Sequence, residues 1–271
     1  MKQILDVSYA QPAIDYAAVA EQVGGVILRA GRTGWGNLEM AADTCYEKHY
    51  AGFTAAGVPV GAYYYSAADT EAVALREAQF LQTLLAGKRF AFPIYYDVEN
   101  NERQGKLSRE QLTRIVEAFC TAMEAAGYFV GYYSYTAWLQ SKFDTKALSH
   151  FTLWKADYRT APDSAIPCDM FQYTSSGTVA GIPGGVDLSH CYRDFPPIIQ
   201  GAGLNGFGKP SPQPPCDPQE LARLKARVAE LEENNKALAW RVDDLAGQLA
   251  AEKQKRLDAV AALEKIIISM K

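Results

Sequence analysis

The sequence predicts an α/β fold: a closed barrel of strands and helices, then a linker, then one long helix. Three observations carry this. Short apolar or aromatic runs alternate with Ala-rich amphipathic segments over residues 1–197. Eight of those runs read as strands, enough to close a barrel. A Gly- and Pro-rich stretch at 198–217 then separates them from a heptad-spaced segment at 218–271.

The strands are expected at 3–7, 26–31, 58–65, 92–98, 128–133, 151–156, 168–173 and 185–189. Helices are expected between the earlier ones, in "PAIDYAAVAEQVG", "LEMAADTCYEKHYAGFTAAG", "DTEAVALREAQFLQTLLAG" and "SREQLTRIVEAFCTAMEAAG". Each of these ends at a glycine, the usual helix-terminating residue. Strand–helix alternation implies parallel strands joined by right-handed crossovers. The connections at 157–167 and 174–184 are too short for crossover helices, so the last strands are expected to be irregular or locally antiparallel. The reading is therefore a modified TIM-like (β/α) barrel. A doubly wound open sheet is the alternative, but no GxGxxG or GxxxxGK[ST] supports a nucleotide site in it.

Composition narrows the function. With 48% hydrophobic residues in 271, a substantial core is expected. A net charge of -4 gives no general attraction to nucleic acid or to an anionic membrane. The five cysteines form no CxxC pair and the three histidines no HExxH, so neither a disulfide scaffold, a metal site nor a cofactor is expected. No run approaches the roughly twenty apolar residues of a membrane span. Asp6 interrupts the N-terminus before any useful apolar stretch, so no signal peptide is expected. A protein held in the cytoplasm, and released by another agent if it acts outside, is the expectation.

The segment "FAFPIYYDVENNE" points to chemistry. Its apolar run ends in Asp97 and Glu99, which face the same way because a strand alternates its faces. Two acids on one buried face repel, so one holds its proton toward neutral pH. That suits general acid catalysis at a glycosidic oxygen. An acidic loop start in solvent is the simpler alternative. Asp6 and Asp187 also stand where short apolar runs give way to polar residues, and the first and last strands of a closed barrel are neighbours. Aromatic residues interleave with these acids: Tyr63, Tyr64 and Tyr65; Tyr132, Tyr133 and Tyr135; Trp154 and Tyr158; Gln172 and Tyr173. Rings of this kind stack on sugars and bond their hydroxyls. Tyr63, Tyr65, Tyr132, Trp154 and Gln172 are the expected substrate contacts, while many of the remaining tyrosines are expected in the core.

The strand ends resemble those of the glycoside hydrolase family 25 lysozymes, the muramidases of bacteria and their phages. "DVSYAQ" and "IDYAAV" match the opening DxSxxQ and ID[WY] pattern, and "GVPVGAYYYS" resembles GxPxGAYHF. "YYDVE" matches the DxE signature, "LWKADY" resembles LWxAxY, and "FQYTSSGTVAGIPGGVDLS" matches the WQYTSxGxVxGIxGxVDxN ending. The matches run in order over residues 2–195. The resemblance implies a barrel in which not every strand is followed by a helix. It implies hydrolysis of the β-1,4 bond between N-acetylmuramic acid and N-acetylglucosamine in peptidoglycan. It makes Glu99 the proton donor, with Asp97, Asp6 and Asp187 completing the catalytic set. The nucleophile stays open among the substrate's acetamido oxygen, an aspartate and water. A binding protein that only holds peptidoglycan is the alternative function. Three positions depart from the family pattern: Tyr64 for histidine, Phe171 for tryptophan and Ser189 for asparagine.

The resemblance does not reach the C-terminal segment. There Leu221, Leu224, Val228, Leu231, Leu238, Val242, Leu245 and Leu249 recur in steps of three and four, with Asn235 in the gap. Valine at a, leucine at d and one asparagine at a predict a parallel coiled-coil dimer. Asp217 is placed to cap the helix ahead of Pro218. Glu252 and Arg256 interrupt the seam before Val260, Leu263, Ile267 and Met270 resume it, a stutter. Cys216 stands where it could bridge two chains in an oxidising medium. The expected biological setting is a phage or prophage endolysin, kept in the host cytoplasm until release and then acting on the bacterial cell wall.

Overall fold

The computed structural model describes residues 2–34, 36–160 and 163–208, with scattered positions between 223 and 256. The chain divides into two compact units, Met1–Pro210 and Ser211–Lys271.

The first unit opens with β1 (Lys2–Val7), α1 (Tyr16–Ala20), β2 (Gly25–Thr33), β3 (Met40–Ala42) and α2 (Tyr46–Ala55). β4 (Val60–Tyr65), α3 (Glu71–Leu85), β5 (Ile94–Asp97), α4 (Arg109–Ala125) and β6 (Val130–Tyr135) follow. The last group is α5 (Thr136–Ser141), β7 (Thr152–Ala156), β8 (Met170–Gly177), β9 (Val186–Cys191) and α6 (Phe195–Gly201). Strands β1, β2 and β4–β9 close an eight-stranded barrel, because β1 pairs with both β2 and β9. That closure removes the open-sheet alternative. Pairing is parallel from β1 through β2 and β4 to β8, and antiparallel at β8–β9 and β9–β1. The short late connections thus end in a reversed strand, as their length predicts.

Local chemistry accounts for the long helices. Ser108 accepts from the Gln111 backbone at 3.2 Å and the Gln111 side chain accepts from the Ser108 backbone at 3.0 Å, a reciprocal cap that starts α4. Leu112, Ile115, Val116, Phe119 and Met123 then recur at helical spacing and are buried. Gly57, Gly87 and Gly127 end α2, α3 and α4 at φ of 73°, 74° and 88°, which residues with a Cβ rarely adopt.

Two expectations about helices are corrected. The segment 38–57 does not form one helix: Met40–Ala42 pairs antiparallel with β2 before α2 begins. The helix expected over 12–24 is only Tyr16–Ala20, started by Asp15 accepting from Ala18.

Alternation along the strands sorts side chains into two layers. Ile4, Ile27, Tyr95, Tyr133, Trp154 and Met170 fill the barrel interior. Their neighbours Leu5, Leu28, Ile94, Tyr96, Tyr132 and Leu153 pack outward against the helices.

The barrel unit does not end at 197. Phe195 and Ile199 of α6 are buried, and Phe195 meets Phe92 and Phe129 edge-on at 6.1 and 5.7 Å. Asn205, fully buried at φ 53°, donates to the carbonyls of Phe90 (3.1 Å) and Phe92 (3.0 Å) and accepts from the Phe129 amide (2.7 Å). It closes the end of the barrel where β5 and β6 begin. The stretch from 198 to 208, expected as linker, therefore belongs to the first unit; composition concealed this because its glycines read as a linker although Ile199, Leu204 and Phe207 pack at the end of the barrel and Asn205 ties it down.

In the second unit the described positions are helical and exposed, including Leu245 and Leu249. Arg227 pairs with Glu230 at 2.7 Å and Arg256 with Glu252 at 3.6 Å, the spacing of neighbours on a helix surface. The other seam residues, Asn235 and Cys216 lie outside the described residues.

Candidate active site

The four acids meet at one mouth of the barrel. Asp6 is next to last in β1, Asp97 ends β5, and Glu99 follows two residues on. Asp187 comes near the start of β9, not at a strand's carboxyl end as the sequence suggests. It reaches the same mouth because β9 runs antiparallel and aligns Asp6 with Asp187. A cavity of about 210 Å³ is lined by these acids together with Tyr63, Tyr133, Trp154, Tyr158 and Gln172.

Gln172 organises one wall. Its Nε2 donates to Asp6 Oδ2 at 2.9 Å, and its Oε1 accepts from the hydroxyls of Tyr133 (2.8 Å) and Tyr158. Trp154 forms the floor, with Nε1 donating to Ser189 Oγ at 3.0 Å. Its ring packs against Tyr133 and Tyr95 at 4.7 and 5.2 Å between centroids. Asp97 Oδ1 is buried and has no hydrogen-bond partner among the described residues.

Burial and mutual repulsion hold protons in this pocket. Burial, and then the charge of Asp187, push Glu99 from 4.5 up to about 7. Asp6 is raised well above the carboxylate range by burial, then Asp187 and Glu99, against the opposing bond from Gln172. Asp97 is raised by burial, Glu99 and Asp6, with Arg29 pulling the other way. That guanidinium is itself held by Asp43 at 2.7 Å. Asp187, less buried, is also raised by desolvation. A carboxyl that keeps its proton near neutrality, beside acids that favour developing positive charge, can protonate a leaving oxygen and steady a cationic sugar. Among the described residues, no group of three or more His, Cys, Asp or Glu is disposed to hold a metal ion.

Of the five expected contact residues, Tyr63, Trp154 and Gln172 line the cavity. Tyr65 does not line it; it is half-buried, and burial, then the charges of Asp97 and Glu99, raise its phenol. Tyr132 is corrected outright. Its ring packs outward against Phe143 at 5.9 Å, and Tyr133 takes the inward place opposite Asp97. Tyr133 and Tyr158 line the cavity and were not chosen from the sequence. Alternation says that Tyr132 and Tyr133 take opposite faces, but the register Asp97↔Tyr133 decides which one faces in.

Two departures from the family pattern point away from the cavity. Tyr64 bonds Thr33 at 2.9 Å behind the sheet, and the Phe171 ring lies under the Lys155 ammonium at 5.7 Å. Ser189 is the one that touches a lining residue, through Trp154.

The family described as "Glycosyl hydrolases family 25" matches residues 5–182, a span that holds Asp6, Asp97 and Glu99. The chain belongs to glycosyl hydrolase family 25. The "Autolytic lysozyme" of Clostridium acetobutylicum is 27% identical over 185 residues, 68% of this chain and 54% of that protein. The family 25 chain thus spans about half the length of that curated relative. Among solved structures, the CTP1L endolysin is similar with a TM-score of 0.62 at 26% identity, covering 74% of this chain and 70% of its own. The modular autolysin LytC of Streptococcus pneumoniae, seen with a synthetic peptidoglycan ligand, gives 0.61 at 28% over 69% and 46%. The catalytic domain of endolysin ply40 from bacteriophage P40 of Listeria monocytogenes gives 0.61 at 25% over 74% and 98%.

Proposed function

We propose that this family 25 protein is a muramidase, hydrolysing the β-1,4 bond between N-acetylmuramic acid and N-acetylglucosamine in bacterial peptidoglycan. The observation that carries the reading is Glu99: a carboxyl raised to about 7 at a cavity it shares with three aspartates. Glu99 gives its proton to the glycosidic oxygen as the bond breaks. Asp187, the least buried of the three aspartates and the charge that raises Glu99, supplies negative potential that a neutral sugar uses little and an oxocarbenium-like transition state uses fully, while Asp6 and Asp97 offer it polar groups beside that charge. That difference, not tight ground-state binding, lowers the barrier. Tyr63, Tyr133, Trp154, Tyr158 and Gln172 position the ring. The likeness to endolysins and an autolysin supports the substrate class and an action on the bacterial wall.

Turbidity loss of purified walls, compared between the native protein and Glu99→Gln, tests the assignment. Loss with the native protein alone supports it, and equal loss with both removes Glu99 as the main acid. No loss with either, across several wall types, favours a binding module. Reducing-end analysis of the products separates muramidase from glucosaminidase.

The segment from 218 to 271 acts in this reading as a self-association helix, joined to the barrel by a linker that starts after Gly208. The heptad seam and its single asparagine support a parallel dimer, which would place two catalytic units on one wall and raise avidity. Sedimentation at micromolar concentration tests it, and a monomeric mass refutes it.

A further inference from the structure

Helix α3 carries an acid where its spacing calls for an apolar residue. Val73, Ala74, Glu77, Ala78 and Leu81 form its buried face, and Glu77 is fully buried. A buried carboxyl is costly unless donors surround it. Here Ser66 Oγ donates at 2.9 Å, the Ala67 amide at 3.2 Å, and Tyr96 and Thr33 add their hydroxyls. None of these groups lines the acid cavity, yet two of them adjoin the DVE segment. Tyr96 precedes Asp97, and the Ser66 amide donates to the Asp97 carbonyl at 2.9 Å.

The network continues to the other side of Glu99. Ser66 Oγ accepts from Gln104 Nε2 at 3.0 Å, and Gln104 also donates to the Ala68 carbonyl at 3.2 Å. Gln104, fully buried, accepts from the Asn100 amide at 3.0 Å through Oε1 and donates its own amide to the Asn100 carbonyl at 2.9 Å. Before Glu99, Val98 is held by β6: its amide donates to Tyr133 at 3.1 Å, and its carbonyl accepts from Ser134 Oγ at 2.8 Å. Glu99 is thus gripped from both flanks, by the sheet at Val98 and by Gln104 at Asn100.

We infer that Gln104, anchored through Ser66 to the buried carboxyl of Glu77, is a positioning residue that holds Glu99 in the cavity at the depth its chemistry needs. The inference rests on the reading of Glu99 as proton donor. Loss of the Gln104 grip frees the Asn100 side of the segment and lets Glu99 swing toward water. The groups it faces in the cavity are the carboxyls of Asp6, Asp97 and Asp187 and the phenols of Tyr133 and Tyr158, with the phenols of Tyr65 and Tyr135 near enough outside it to feel its charge. Moving away from them, its proton affinity falls toward that of an ordinary carboxylate.

Gln104→Leu keeps the side-chain bulk and removes the grip; Ser66→Ala cuts the link between Gln104 and Glu77. Leu81→Ala, on the same helix, serves as a purely destabilising control. On soluble glycan fragments, Gln104→Leu should lose about tenfold to a hundredfold in kcat with KM nearly constant, as expected for a misplaced acid. Its basic pH limb should move to lower pH. Ser66→Ala should do the same more weakly, and is the variant that decides if Gln104→Leu does not fold. Leu81→Ala should lower the melting temperature and leave the limb in place. A Gln104→Leu or Ser66→Ala protein that is merely less stable, with kcat and the limb unchanged, overturns the inference. A second readout does not depend on hydrolysis. The pH-dependent stability gap between Glu99 and Glu99→Gln should narrow in the Gln104→Leu or Ser66→Ala background. A gap that stays the same refutes the positioning role even if the protein proves to be a binding module.

Discussion

Replacing Glu99 by glutamine should make the protein more stable, and by an amount that grows with pH. The folded carboxyl titrates at about 7, against an ordinary 4.5. Because the folded value is the higher one, the carboxyl's support for folding is complete below the ordinary value. It is lost as pH rises through about 7, where the native state must carry a buried charge beside Asp187. At about 1.4 kcal/mol per pH unit of displacement, the full effect is about 3 kcal/mol. Glutamine carries no such burden. The stability gap between Glu99→Gln and the native protein should be near its minimum at pH 4 and approach that value by pH 8. For a domain near 200 residues that corresponds to about 6–12 °C in melting temperature. Asp6, Asp97 and Asp187 share the same repulsion and re-titrate when Glu99 becomes neutral, so part of the gain passes through them. Urea unfolding followed by tryptophan fluorescence at pH 4, 6 and 8 measures the gap. Parallel stability curves for the two proteins would show that Glu99 titrates as an ordinary exposed carboxyl, and the catalytic argument would lose its basis.

Other outcomes follow from the same geometry. The basic limb of kcat/KM on soluble glycan should fall about tenfold per unit above a midpoint of about 7, reporting the free enzyme's acid; a limb beyond pH 9 refutes that assignment. Tyr133→Phe, which loses the bond to Gln172, should slow hydrolysis by about fivefold. Tyr132→Phe should leave the rate unchanged, because that ring packs outside the barrel; steady-state rates of the pair test the inward–outward assignment. Asn205→Ala strands two carbonyls and one amide at the closed end of the barrel and should cost about 2–4 kcal/mol in urea unfolding. Its activity at low temperature should be retained, since nothing at that end touches the cavity.

Much of the barrel was readable because its signals are short-ranged. Each expected strand has a counterpart, since four to eight apolar residues bounded by turn residues mark a strand wherever it packs. The short strand β3 escaped because "LEMAAD" also suits a helix, and only pairing with β2 makes it a strand. The DVE segment and Asp6 were legible as strand-end acids. Asp187 was legible as an acid at a boundary but not as the start of a reversed strand. The roles of Glu77 and Gln104 were not legible: an acid on the apolar face of a helix does not name its partners, and Gln104 stands in a single 3-10 turn with no pattern of its own.

The sequence by itself determined the alternation of strands and helices, the four acids and the resemblance that relates them to peptidoglycan. It did so because alternation, helix caps and motif spacing are written in consecutive residues. Only the tertiary structure decided that Tyr133 and not Tyr132 faces the acids, that the barrel continues to Asn205, and that Glu99 is gripped from both sides. Those outcomes depend on register between strands and on hydrogen bonds between residues far apart in the chain. Neither is encoded in any window short enough to read along the sequence.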